Sequence, residues 1–384
     1  MSHPSAKLLA GLATSLALVG LSGCRSHDFP QHAANYHEFA YVSNGGSNTV
    51  SIYDVVNMRL DRELQVGKNP SGVTANPKLN EVYVVNSGGN AENGSVSVID
   101  SEKNAVVATI PLHKQPYFLD VDAAGERAYV ANSGSNSVSI LDLKAHREIA
   151  EIRTGQGPGI ARISPDSKTL VVTNRIGNSV SIIDAKSGQV RKTIDGCPGA
   201  TDAVVMTDSS KAFAACSAGH QIMAIALAKS NNQPDALEAL LDVGHSPVHL
   251  ALKPDGGELF VSNFDSDSIS EVVTGTNDVG GAYMVGSRPV RGLVSADNSL
   301  LYVSNFRSQE LIIYSIDDGK RTGSIHIGDG PDALAFSADG FLLFAVDARS
   351  GDLAVIRTGT NTLFTFLPTG RQPNAIAVKA FELK

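Results

Sequence analysis

The sequence predicts an all-β protein folded as an eight-bladed β-propeller, and three observations lead to that fold class. A segment reading FAYVSNGGSNTVSIYD at residues 39–54 occurs eight times with variation. Its anchor position recurs at intervals of about 42 residues, a period typical of propeller repeats. Each copy is rich in β-forming residues, with turn residues between strand-length segments. The anchors are Asn44, Asn86, Asn132, Asn174, Cys216, Asn263, Asn305 and Asp347.

Each unit is expected to contain four strands. In the third unit, residues 128–132, 138–142 and 148–153 are three of them. The innermost strand is predicted to follow a proline, which suits a strand start because its missing N–H costs no ladder bond there. These positions are Pro70, Pro116, Pro158, Pro247, Pro289, Pro331 and Pro373, with Ala200 in the remaining unit.

The two ends of the chain are predicted to share one blade. The last innermost strand begins at Pro373, whereas the first unit, which begins at Phe39, lacks an innermost strand of its own. We therefore expect residues 373–383 to pair into the first blade, which removes the open edges of a linear array. A ring of seven blades with one degenerate unit outside it is the alternative.

Residues 1–23 have the features of a lipoprotein signal peptide. Lys7 precedes a short apolar run at residues 8–19, which is too short to span a bilayer comfortably. The run leads to Leu-Ser-Gly-Cys at residues 21–24, which resembles a bacterial lipobox and implies lipidation of Cys24. An ordinary signal peptide is the alternative. Residues 24–38 are expected to be a flexible tether and residues 39–384 a single propeller domain.

The composition of the chain and the motifs that it lacks exclude several classes of function. Lys and Arg total 31 against 39 Asp and Glu, so nucleic acid is not expected as the partner. The chain contains no Cys-x-x-Cys-His, His-Glu-x-x-His, Gly-x-Ser-x-Gly or phosphate-binding Gly-x4-Gly-Lys motif. The sequence therefore predicts no catalytic residues and indicates no particular cofactor.

Two repeated motifs resemble those of a known family. Tyr-Val-Ser-Asn followed by Val-Ser-Ile/Val-Ile-Asp, together with Pro-Asp-Gly hairpins, resembles the YVTN-type β-propeller repeat family over nearly all of residues 39–384. That family includes surface-layer and cell-envelope binding proteins, and it is related to lactonase-like and haem d1-binding propellers. By resemblance to enteric-type sorting, Arg25 after the lipobox implies an outer-membrane anchor facing the periplasm.

Candidate ligand-binding residues fall on one face of the predicted ring. The turn before each innermost strand and the turn after each anchor share this face, named here the top face. Three consecutive innermost strands place Asp202, His249 and Arg291 at their third position. Arginine forks bind carboxylates or phosphates, so an anionic ligand is predicted. Solvated charges paired with rim aspartates are the alternative. The arginines of nearby turns are Arg288, Arg307, Arg349 and Arg371.

Three further predictions concern specific side chains. His220, His245 and His249 could bind a metal ion if the fold brings them together, and solvated rim residues are the alternative.

Cys197 and Cys216 are expected at the top of the same blade. An oxidising compartment would favour a disulfide between them. Otherwise Cys216 is a small buried apolar residue, or it joins His220 in a soft metal site. Asp120 and Arg162 are expected to form a structural ion pair beside the central channel, which the innermost strands surround.

Three functions remain open from the sequence. The first is a lipid-anchored envelope propeller that binds a partner protein or surface component through its top face without catalysis. The second is a propeller that binds a small anion or a cofactor of haem d1 or metal type, with a redox role. The third is a lactonase-like hydrolase.

Overall fold

The computed structural model describes residues 29–89, 92–228 and 234–383. The predicted signal peptide and the lipidation site Cys24 lie outside these residues. The chain divides into a short unit, Met1–His32, and a second unit, Ala33–Lys384.

The second unit contains eight four-stranded antiparallel sheets. The first four blades are β1 (Tyr36–Asn44), β2 (Thr49–Asp54), β3 (Arg59–Gln65) and β32 (Pro373–Glu382); β4 (Pro70–Ala75), β5 (Glu81–Asn86), β6 (Asn93–Asp100) and β7 (Ala105–Lys114); β8 (Pro116–Val121), β9 (Arg127–Asn132), β10 (Ser137–Asp142) and β11 (Arg147–Arg153); and β12 (Pro158–Ile163), β13 (Thr169–Asn174), β14 (Ser179–Asp184) and β15 (Val190–Asp195).

The other four blades follow the same order. They are β16 (Ala200–Val205), β17 (Lys211–Cys216), β18 (Gln221–Ala226) and β19 (Ala236–Asp242); β20 (Pro247–Leu252), β21 (Glu258–Asn263), β22 (Ser268–Val273) and β23 (Asp278–Met284); β24 (Pro289–Val294), β25 (Leu300–Asn305), β26 (Glu310–Ser315) and β27 (Lys320–His326); and β28 (Pro331–Phe336), β29 (Leu342–Asp347), β30 (Asp352–Arg357) and β31 (Thr362–Pro368). The prediction of eight blades is confirmed, and the alternative of seven is wrong.

Short helical turns also occur. Ser217–Gly219 and Phe264–Ser266 form single 3-10 turns directly after the anchors of the fifth and sixth blades. No helix in the described ranges is long and apolar enough to cross a membrane.

The ring closes as the sequence predicted. Strand β32 pairs with β1 in the order β3-β2-β1-β32, from Tyr36 opposite Glu382 to Asn44 opposite Pro373. Strand β1 begins at Tyr36 rather than Phe39, so the last residues assigned to the tether belong to the sheet. A side-chain contact supports this pairing, because the ring of His37 stacks on that of Phe381 with centroids 5.7 Å apart.

The core lies between neighbouring blades. The two middle strands of each blade are almost wholly buried, whereas most residues of the outermost strands are partly or fully exposed. Tyr83 and Val85 of the second blade, for example, pack against Leu119 and Val130 of the third. Since a single blade cannot bury both of its apolar faces, the stability of each blade depends on its two neighbours.

Candidate functional site

The top face is built by the register of the inner two strands of each blade. Pro70 at the start of β4 lies opposite Asn86 at the end of β5, so the turns that precede and follow these residues meet. The residue before each innermost strand has a positive φ, and at the seventh blade this residue is Arg288, with φ 59°. Asp267 Oδ1 accepts a hydrogen bond from Arg288 N at 2.8 Å, which fixes the backbone of that turn.

Two arginines of the top face are held against aromatic rings. The guanidinium carbon of Arg288 lies 4.8 Å from the ring centroid of Phe264, and that of Arg349 lies 4.4 Å from that of Phe306. A ring beneath a guanidinium favours its charge and leaves the N–H groups at its edge available. Sequence reasoning missed both phenylalanines, although each one directly follows an anchor asparagine.

The arginine sector is defined here as Arg288, Arg307, Arg349 and Arg371, on the turns from the sixth blade round to the first. Arg288 Nη2 lies 3.9 Å from Asp265 Oδ1, and Arg349 Nη1 lies 3.7 Å from Asp329 Oδ1. Both distances are longer than a hydrogen bond. These carboxylates therefore partly offset the charge of each arginine but leave its N–H groups able to donate to a ligand.

Arg307 and Arg371 differ from the other two. Neither guanidinium has an ion-pair partner among the described residues, and both side chains are exposed, as that of Arg349 also is. The alternative, pairing with rim aspartates, therefore applies to half of the sector. Two of its four positive charges remain open to a ligand.

An open depression of about 510 Å³ lies within the sector, between the eighth and first blades. Two walls are the turns at 348–351 and around Ser47, and the third is the link at 369–372. It is shallow for a small-molecule site, which normally encloses most of its ligand. Its lining residues are Ser47, Ala348, Arg349, Ser350, Gly351, Thr369, Gly370, Arg371 and Gln372.

Asp202 lies on β16, one of the innermost strands that form the wall of the central channel, and its carboxylate has a structural role there. Its Oδ1 accepts the N–H of Ala203 and its Oδ2 accepts the N–H of Leu250, both at 2.9 Å. Leu250 is on the innermost strand of the next blade, whose inner edge has no neighbouring strand. The carboxylate thus satisfies a free sheet edge and joins two blades.

His249 repeats this arrangement one blade further on. Its Nδ1 accepts the N–H of Gly292 at 3.2 Å, so the ring proton belongs on Nε2. Burial lowers the pKa of His249 to about 4; the Asp202 charge opposes this, and Arg291 and Arg162 add to it. His249 is therefore neutral at neutral pH.

The remaining polar side chains of the wall complete a chain of contacts. Arg291 Nε lies 4.0 Å from Asp332 Oδ1 on the eighth blade. Arg162 Nη1 lies 3.5 Å from Asp120 Oδ2, which confirms the predicted structural ion pair. Arg162 Nε also donates to Ala203 O of the next innermost strand at 3.2 Å. These residues link the blades around the channel.

The three histidines proposed as metal ligands are divided between two places. The rings of His220 and His245 lie on the rim with centroids 4.4 Å apart, and His220 Nδ1 accepts the N–H of Ser246. His249 is instead engaged in the channel wall. Within the described residues, no three His, Cys, Asp or Glu side chains are grouped to hold a metal ion.

The predicted disulfide between Cys197 and Cys216 is present, with Cα atoms 4.7 Å apart. In most blades the equivalent positions hold a glycine packed against the anchor side chain. A Cβ added to Gly67, for instance, would lie 2.6 Å from Cγ of Asn86. The disulfide occupies this close approach in the fifth blade, and its signal in the sequence is a cysteine at both positions.

Comparisons with known proteins agree with this architecture. A model of the YNCE-like β-propeller family matches residues 123–379. The dihydro-heme d1 dehydrogenase NirN in complex with DHE is similar over 91% of this chain and 76% of that one, with 16% identity and a TM-score of 0.74. AztD from Citrobacter koseri is similar over 91% and 99%, with 14% identity and a TM-score of 0.67. No curated protein sequence matches the chain.

A third similar structure is a putative 6-phosphogluconolactonase from Bacteroides uniformis. It has 16% identity and a TM-score of 0.62, over 90% of this chain and 100% of that one. At these identities the similarities show the fold alone.

Proposed function

The chain belongs to the YNCE-like β-propeller family, and on that premise we propose that it is a non-catalytic binding protein of the cell envelope. Its arginine sector binds an acidic surface of a partner protein or surface component. The observation that carries this proposal is the state of the four guanidinium groups. Two are pre-ordered on Phe264 and Phe306, and two are exposed without an ionic partner among the described residues.

Pre-ordering matters for the affinity of such a surface. An arginine that is already stacked on a ring loses less side-chain freedom when it binds. Exposed charges at the edge of an interface mainly accelerate association and select the partner by its charge. The shallow shape of the depression favours a macromolecular surface over an enclosed small molecule.

The proposed location is the bacterial cell envelope, with a lipid anchor on Cys24 at the outer membrane facing the periplasm. The support is the Leu-Ser-Gly-Cys sequence at residues 21–24 and the disulfide, a bond that persists in oxidising compartments. Acyl chains on Cys24 would provide the membrane attachment, so the propeller itself needs no membrane-facing surface.

The two other functions have less support. The similarity to NirN and to a putative 6-phosphogluconolactonase is a similarity of fold. A metal-dependent centre in this ring would need converging ligands, and the described part of the chain groups no three of them. The channel-wall carboxylate of Asp202 is already engaged by two backbone N–H groups.

The test is capture from envelope extracts with the wild-type protein and with R307E and R371E, each tested singly. Charge reversal at an exposed arginine should weaken capture of the same partner, and added salt should weaken the wild-type complex as well. The matched control is R147E, which reverses an exposed arginine where β11 begins, on the opposite face. Capture that is equal in all four proteins, or measurable turnover of a substrate, would contradict the proposal.

A further inference from the structure

We propose that the depression between the eighth and first blades is a binding site for a single oxyanion, namely a phosphate or carboxylate group. This inference rests on the proposed function, because it names the chemical group that one part of the arginine sector takes. Its evidence is the lining, the two arginines and the position at the ring closure.

The lining of the depression contains two positive side chains and no acidic one. Arg349 and Arg371 contribute the charges, and Ser47, Ser350 and Thr369 contribute hydroxyl groups. The nearest carboxylate to Arg349, that of Asp329, lies outside this lining at 3.7 Å. An oxyanion accepts several hydrogen bonds and is bound well by guanidinium forks.

The two arginines are positioned by different means. Arg349 is stacked on Phe306, which fixes the plane of its guanidinium. The backbone of Arg371 is fixed on both sides, since its N–H donates to Ser47 Oγ at 3.1 Å and its carbonyl accepts the N–H of Gly46 at 2.9 Å. Its side chain remains exposed with no ion-pair partner in the described residues, and is therefore the free donor of the site.

The depression lies where the two ends of the propeller meet. Ser47 follows β1, Arg371 precedes β32, and Arg349 belongs to the eighth blade. A ligand held by all three would connect the first blade to the eighth. Binding should therefore stabilise the closed ring, because a ligand that binds only the folded state raises its stability by mass action.

The experiment measures binding and thermal stability with inorganic phosphate and, separately, with glucuronate as the carboxylate probe. Calorimetric titration should show saturable binding of at least one probe, and the melting temperature should rise with its concentration. R371Q and R349Q should each weaken binding by about tenfold or more, the usual effect of losing a charged hydrogen-bond donor. A348W should block the site by bulk without changing its charge.

R175Q is the matched control, since it removes an exposed arginine of the top face, directly after the anchor Asn174, that lies outside both the arginine sector and the depression. Its binding of the probe should equal that of the wild type. A response to phosphate alone identifies a phosphate site, and a response to glucuronate alone identifies a carboxylate site. Binding of neither probe, or binding that R371Q and A348W leave unchanged, would overturn the proposal. Capture of a partner in the R307E experiment is measured separately, so failure of one proposal does not decide the other.

Discussion

The anchor residue of each blade determines how the top of that blade is packed. In the fourth blade Asn174 Nδ2 donates to the hydroxyls of Ser179 and Ser181, at 3.1 and 2.9 Å. The eighth blade has Asp347 at the anchor, and Asp352 lies directly opposite it on β30. Burial, together with the Asp352 carboxylate, raises the pKa of Asp347 to about 9. A pair of carboxyl groups, with Asp347 buried and Asp352 partly buried, thus replaces a neutral hydrogen-bond network.

The first prediction is that D347N stabilises the protein, and increasingly so at higher pH. The folded state holds a proton on Asp347 up to about pH 9, whereas the unfolded chain releases it near pH 4. Folding therefore binds a proton in this window, and the stability of the wild type falls as pH rises through it. D347N should gain about 1–3 kcal/mol at pH 8 and less at pH 5.

Denaturant unfolding of D347N at both pH values measures this effect. The exposed Asp318 supplies the control, because D318N makes the same aspartate-to-asparagine change at a site without a buried carboxyl group. A gain that is equal at pH 5 and pH 8 would show that Asp347 is not the titrating group.

The disulfide of the fifth blade gives a second prediction at the residue scale. C197A/C216A should lower the free energy of unfolding by about 2–4 kcal/mol, because the unfolded chain regains the freedom of the closed loop. C197G/C216N should recover part of this loss, since it introduces into the fifth blade the glycine–asparagine contact that Gly67 and Asn86 make in the second. Chemical denaturation compares the variants. Equal stability of the two double variants would contradict the equivalence of the two contacts.

At the scale of elements, neighbouring blades are joined by side chains that satisfy backbone groups. Asn136 Oδ1, on the turn between β9 and β10, accepts the N–H of Gly157 at 2.8 Å, just before β12. Asn178 does the same for Gly199, and Asp267 for Arg288. This device holds the start of one innermost strand to the blade before it.

The third prediction tests one of these hydrogen bonds, from the N–H of Gly157 to Asn136 Oδ1. N136G should cost about 1 kcal/mol, the usual worth of one hydrogen bond, because glycine keeps the positive φ of 55° and removes only the side chain. N136D should cost less, since aspartate keeps the acceptor, as Asp267 shows. Thermal or denaturant unfolding gives both values. A loss in N136D as large as that in N136G would contradict the role assigned to this bond.

Much of the element scale could be predicted from sequence, and the reasons are physical. The proline at the start of the innermost strands and the Val-rich strands of the repeat are local signals, so strand order and blade count followed from them. The stacking of Arg288 on Phe264 is not local. It depends on a turn that holds Arg288 at φ 59°, and on the rotation between neighbouring blades. The strand position of His249 followed from its spacing after Pro247, but its hydrogen bond from Gly292 of the next blade depends on that same rotation.

At the scale of the whole molecule, the first blade is attached to both neighbours by its closing strands. Lys379 Nζ donates to Asn76 O of the second blade at 2.8 Å, and Asn374 Nδ2 donates to Pro70 O at 2.9 Å. On the other side Glu38 Oε1 accepts the N–H of Ala338 in the eighth blade at 2.6 Å. The first blade is therefore bonded to both of its neighbours, and we expect the ring to unfold as one cooperative unit.

The fourth prediction follows from this closure. Removal of residues 373–384 deletes β32 and exposes the edge of β1, so the protein should lose its cooperative unfolding transition and associate through the open edge. Truncation after Glu382 keeps the whole strand and serves as the control. Calorimetry and light scattering distinguish the two proteins. A monomeric variant that lacks β32 and unfolds cooperatively would contradict the closure described here.

The central claim about the whole molecule is that its top face binds a partner through the arginine sector. The most direct measurement is photo-crosslinking in intact envelopes from a reactive residue placed at Ser287, beside Arg288, and from one placed at Thr276, on the opposite face of the sixth blade. The account predicts one discrete crosslinked partner from position 287, reduced when Arg307 is reversed to glutamate, and none from position 276. Equal crosslinking from both positions, or crosslinking from 276 alone, would contradict it.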